Sequence, residues 1–229
     1  MKKLILAAAI ALAPLASWAE TKADTVRDVI TQHILPRYST LAETSDELAA
    51  TAQADCSAAS EALRRAYNSA FDAWIAVSHL RFGPSELNNR AFALAYWPDS
   101  RGATPKTLAA LIADADPAAN TPDTFAEISI AGRGFYALEF LLYDDQLSTM
   151  GSADYRCALV KAVTADIAVQ SRAILDDWQH GYADTLLSPT DTSPYRSTEE
   201  VAQELFKALN VGLEFTADTR IGRPMGTFD

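Results

Sequence analysis

Residues 131–145 read AGRGFYALEFLLYDD. The run from Gly134 to Leu142 is apolar at nearly every position and predicts a short helix opened by a glycine. One acid, Glu139, stands among Leu138, Phe140, Leu141 and Leu142. A carboxylate in such a run must reach water, pair, or bind something, because an unpaired buried charge is costly. Tyr136 lies three residues earlier, so on a helix the two side chains share a face. Phenol and carboxylate oxygens are hard donors and suit a hard cation. The same pair could move protons if burial raised the Glu139 pKa. The plainer alternative is a structural acid paired to an arginine, with Tyr136 in the core.

Outward from this stretch the period is helical. Leu63, Tyr67, Ala70, Trp74, Val77 and Arg81 recur at spacings of three and four, one stripe of an amphipathic helix between Ala58 and Phe82. Leu159, Val163, Ile167, Gln170, Ile174 and Trp178 repeat the pattern, with Gly181 as the expected stop. Val26, Ile30, Ile34, Tyr38 and Leu41 predict an earlier helix kinked at Pro36. Ser197 and Glu200 form a capping box ahead of Val201, Leu205, Leu209 and Phe215. Strand alternation is confined to Ile128-Ser129-Ile130. The expected fold is an all-α helical bundle of about six to seven helices. Beyond Thr219 the chain reads as a turn-like tail.

The first residues have the form of a secretory leader. Lys2 and Lys3 precede an apolar stretch from Leu4 to Leu15, and Ser17-Trp18-Ala19 is a cleavage signal. Cleavage after Ala19 would leave a chain from Glu20 to Asp229, exported and, on the bacterial look of the leader, periplasmic. A second long apolar segment is lacking, so no transmembrane span is expected. Loss of Lys2 and Lys3 takes the formal charge from −11 to −13. Such a chain repels nucleic acid and anionic membranes. Two cysteines, Cys56 and Cys157, in an oxidising compartment predict a disulfide rather than two free thiols.

Several chemistries find no starting point. There is no His-Glu-x-x-His, and His33, His79 and His180 are scattered. Asp177-x-x-His180 is a poor match to the paired Glu-x-x-His motifs of di-iron bundles. A Gly-x-Ser-x-Gly elbow and a Gly-rich phosphate loop are both missing.

Gly134-Phe135-Tyr136-Ala137-Leu138-Glu139, followed by apolar residues, resembles the Gly-x-His-x-x-Glu signature of the imelysin-like family. Arg81-Phe82-Gly83-Pro84, Tyr96-Trp97-Pro98-Asp99-Ser100-Arg101-Gly102, Ser129 and Tyr155-Arg156-Cys157-Ala158-Leu159 accompany it in order. The resemblance runs from about Val26 to Asp229. It implies an exported all-α protein, with iron as the expected ligand and iron-transport components of the cell envelope as partners. It also implies a second helical half beyond the point where this sequence ends, so that residues 20–229 are expected to be one helical domain without its C-terminal companion. The family was catalogued as a metallopeptidase too, but its signature histidine is Tyr136 here. A phenolate binds ferric iron and cannot copy an imidazole on zinc.

The sequence therefore points to a non-catalytic protein of iron acquisition or metal binding, with Glu139 and Tyr136 as ligands. A metallopeptidase and a metal-free scaffold for a partner or polymer are the alternatives. Arg81 ends its helix stripe where a buried partner of Glu139 would be expected; if it neutralises Glu139, the site is a salt bridge or an anion-binding pocket. Trp97 and Ser129 are pocket residues by family likeness alone. Trp97 as a core or rim aromatic and Ser129 as a helix cap remain equally open.

Overall fold

The structure is a computed structural model that describes residues 21–227. The expected leader, residues 1–19, lies outside them. The chain forms α1 (Lys22–Asp28), α2 (Leu35–Ala54), α3 (Glu61–Val77), α4 (Arg90–Leu94), α5 (Ala103–Asp114), α6 (Pro122–Ala126), α7 (Gly134–Tyr143), α8 (Ala153–Asp177), α9 (Ala183–Leu187) and α10 (Thr198–Glu214). Six of these have ten residues or more, and no strand occurs among the described residues. The fold is the all-α bundle that the periodicity required.

Helices α2, α3 and α8 make the frame, with α2 packed between the other two and α7 laid against α8 and α3. Tyr38, Leu41, Leu48, Leu63, Phe135, Leu138, Leu159, Val163 and Ile167 are fully buried where they meet. Each such apolar side chain is worth roughly 1.5–3 kcal/mol of burial. Ser60 and Ser152 cap α3 and α8, accepting from the N–H groups of Leu63 and Tyr155. The Cys56–Cys157 disulfide is present. It ties the α2–α3 loop to the first turns of α8 across a sequence separation of 101.

The helix ends follow the sequence reading only in part. The helical run continues across Pro36, with its irregularity on the N-terminal side of the proline. A π-helical turn at Val29–Ile34 joins α1 to α2, and its wider winding makes room for the ring that would strike the carbonyl four residues back. Gly181 ends the helical backbone of the α8 run as expected: His180 and Gly181 leave the helical region, Gly181 with φ +144°, inside the Trp178–Tyr182 segment. A second helix, α9, starts at once beyond this bend, and Trp178 is buried with Tyr182 edge-on to it at 4.9 Å. Helix α3 ends at Val77, short of Arg81, because the chain turns there to bury Leu80 and Phe82. A π-helical segment, Phe215–Gly222, runs three residues into the stretch read as turn-like beyond Thr219, and turns follow from Arg223 to Gly226.

Candidate functional site

Helix α7 is held at its first turn by two features. Gly134 has φ +74°, and a Cβ there would lie 2.2 Å from the Ala93 carbonyl oxygen and 2.3 Å from that of Leu94. Only glycine accepts both the left-handed backbone and the close approach of α4. Arg133, the residue before it, reaches α8. Its Nε donates to Asp166 Oδ2 at 2.9 Å and its Nη2 to Asp166 Oδ1 at 2.6 Å. Its Nη1 donates to the Ala126 carbonyl at 2.8 Å.

So anchored, α7 buries Phe135, Ala137, Leu138, Leu141 and Leu142. Tyr136, Glu139 and Tyr143, spaced by three and four, form the remaining face. Tyr136 is half-buried and stands edge-on to Phe71 at 5.7 Å. Tyr143 packs on Tyr67 at 5.9 Å, with the Arg64 guanidinium 4.8 Å over its ring.

Glu139 is exposed and makes no hydrogen bond or ion pair among the described residues. Yet the neighbouring aromatic side chains take away enough water to raise its carboxyl pKa above the ordinary 4.5. Exposure governs what can reach the group, and partial desolvation governs its charge. Burial raises the Tyr136 phenol as well; Arg220 opposes that shift and the Glu139 charge adds to it. Tyr67 is pushed up in the same way, by burial first and then by Glu139. The Tyr136 and Tyr67 phenols therefore hold their protons at neutral pH and would give them up only to a strongly polarising cation, while the Glu139 carboxyl takes up its proton at a higher pH than a fully hydrated one.

The five sequence candidates divide. Tyr136, Trp97 and Arg81 line one cavity of about 670 Å³, while Glu139 and Ser129 do not. Arg81 is not the partner of Glu139. It pairs with Glu86, Nε to Oε1 at 2.6 Å, because the chain has left the α3 stripe before reaching it. Ser129 caps a short 3₁₀ turn, its hydroxyl accepting from the Ala131 N–H at 3.4 Å. Trp97 stands edge-on to Phe215 at 5.9 Å. Asp177 and His180 face different partners, Arg90 and Asp176.

Three cavity features escaped the sequence reading. Arg220, in the supposed tail, reaches into the cavity wall. Its Nη2 donates to Ser78 Oγ at 2.9 Å, and its guanidinium lies 5.3 Å from the Phe215 ring centre. His33 and His79, far apart in sequence, meet with ring centroids 5.6 Å apart. Burial lowers the pKa of both. Among the described residues no three His, Cys, Asp or Glu side chains gather where they could hold a metal.

The chain matches the family described as "Peptidase_M75: Imelysin" over residues 34–229. No curated protein matches it. Among solved structures, an imelysin-like protein from Psychrobacter arcticum 273-4 has a similar fold, with a TM-score of 0.77 at 24% identity. The match covers 90% of this chain and 64% of that one, so this chain spans less than two thirds of its length. The chain belongs to the imelysin family.

Proposed function

We propose that this is an exported imelysin-family protein that binds iron as cargo in metal acquisition and catalyses no reaction. The observation that carries the reading is Glu139. It is an accessible carboxylate, unpaired among the described residues, one helical turn from the Tyr136 phenol and close to Tyr67. Hard oxygen donors of this kind suit ferric iron better than zinc. A hydrolytic zinc centre needs three protein ligands and an open position. The imidazole that a peptidase would draw from the signature is a phenol at Tyr136. Iron-transport components of the envelope are the partners that fit this reading, and the leader ending at Ala19 supplies the route of export.

The test is a calorimetric titration of residues 20–229 with chelated ferric iron, ferrous iron and zinc, beside Glu139→Gln. Ferric binding should saturate and be lost in the variant. Protonation competes with the metal at Glu139. Because the carboxyl pKa is raised, affinity should weaken as pH falls through a range above 4.5. Binding by Glu139→Gln equal to the parent, or saturation by zinc alone, would overturn the reading.

A further inference from the structure

Helix α10 covers the bundle loosely. It buries only Val201 and Ala208, while Phe206, Leu209, Val211 and Leu213 remain exposed. Beneath it lie two cavities. One, of about 440 Å³, is walled by Val26, Val29, Leu80, Leu205 and Phe206 and is almost wholly apolar. The other is the 670 Å³ cavity of Trp97, Tyr136 and Arg220. Both volumes fall in the range of about 300–1,000 Å³ that holds small molecules. The two adjoin, since His33, His79 and Leu209 line both. Gly212 keeps α10 close at this neck, because a Cβ there would lie 2.5 Å from the His79 Cβ.

The charge of the walls runs against that of the protein. The chain has 30 acids to 19 basic residues, yet no Asp or Glu among the described residues lines either cavity. The charged and titratable groups there are Lys22, Arg81, Arg220, His33, His79 and Tyr136. Lys22 is paired with Glu199 and Arg81 with Glu86. Arg220 makes no ion pair among the described residues and rests on Ser78 and Phe215. A guanidinium on an aromatic wall, beside an apolar chamber, is a recognition pattern for an anion with an apolar body.

We infer that the two cavities bind one amphipathic organic carboxylate. Its head pairs with Arg220, and its apolar body passes the His33–His79 neck into the chamber under α10. The site is separate from Glu139, which lines neither cavity.

Calorimetry with decanoate below its micelle concentration tests this, using metal-free residues 20–229. Decanoate should bind one to one and saturate below millimolar concentration. Arg220→Ala should weaken it fivefold or more, as loss of a charged hydrogen bond does. Leu205→Trp, which fills the apolar chamber from the exposed helix, should do the same, and thermal melts verify that both variants fold. Arg220→Lys should restore part of the affinity, separating charge from support of Phe215. Absence of saturation, a change under fivefold in either variant, or equal binding of decyltrimethylammonium would overturn the inference. With no iron present, the result is independent of the metal reading at Glu139.

Discussion

Removing the Asp166 carboxylate should unfold this protein more readily than almost any other single change. The Arg133–Asp166 pair is bidentate, with side chains only 8% and 7% exposed. Gln170 Nε2 also donates to Asp166 Oδ1, at 3.3 Å. Asp166→Ala leaves the guanidinium buried with one acceptor, the Ala126 carbonyl. Stranding one member of a buried pair costs about 3–5 kcal/mol. In a chain of this size each kcal/mol lowers Tm by about 2–4 °C, so the expected fall is about 6–20 °C. The companion is Arg133→Met with Asp166→Leu, which removes both charges and keeps apolar volume. Its remaining loss should be about 1 kcal/mol, mostly from the unpaired Ala126 carbonyl. Urea unfolding and hydrogen exchange provide the readings, with α7 amides in Asp166→Ala exchanging fastest because Arg133 fixes its first turn. A loss below about 1 kcal/mol in Asp166→Ala, or a double variant as damaged as the single one, would refute this account.

Replacing Cys56 and Cys157 together by serine frees a loop of 101 residues. By chain entropy this should lower unfolding stability by about 4–5 kcal/mol, measured by urea denaturation; a loss under about 1 kcal/mol would mean that the bridge constrains little. Gly134→Ala should cost about 2 kcal/mol or more, since it meets both the backbone strain and two carbonyl oxygens of α4. An unchanged urea midpoint would show that α4 yields without cost.

Periodicity made the frame legible, because one buried stripe per helix is what α2, α3 and α8 require. What it could not register is where a stripe stops. Arg81 continues the spacing of Leu63, Tyr67, Ala70, Trp74 and Val77 by coincidence of number, yet it belongs to the turn that buries Leu80 and Phe82. Gly181 ends the helical backbone as its residue type predicts, but the period gave no sign that a further short helix, α9, starts directly beyond the bend. The cavity residues Arg220, His33 and His79 come from separate elements, and nothing local in the sequence announces their meeting. Trp97 was reached through motif resemblance and Tyr136 through its helical spacing from Glu139, and the cavity they share with Arg220 depends on how α10 lies.

The two acids of the molecule that most invite explanation show why local composition misleads. Glu139 stands in the more apolar run, yet it is exposed, because α7 has one face left over and Glu139 shares it with Tyr136 and Tyr143. Asp166 stands in a more polar helix, yet it lies three residues after Val163 and four before Gln170, beside the buried stripe, and it is the one that is buried. An acid's fate follows its angular position on the helix, which the register sets, and not the hydrophobicity of its neighbours in sequence. Burial forces a partner on Asp166, and Arg133 supplies it at the price of a fixed geometry. Exposure leaves Glu139 free of that demand. A carboxylate that need not be paired for the fold to stand is available to bind something else, so the structural acid and the binding acid exchange the places that composition alone would give them.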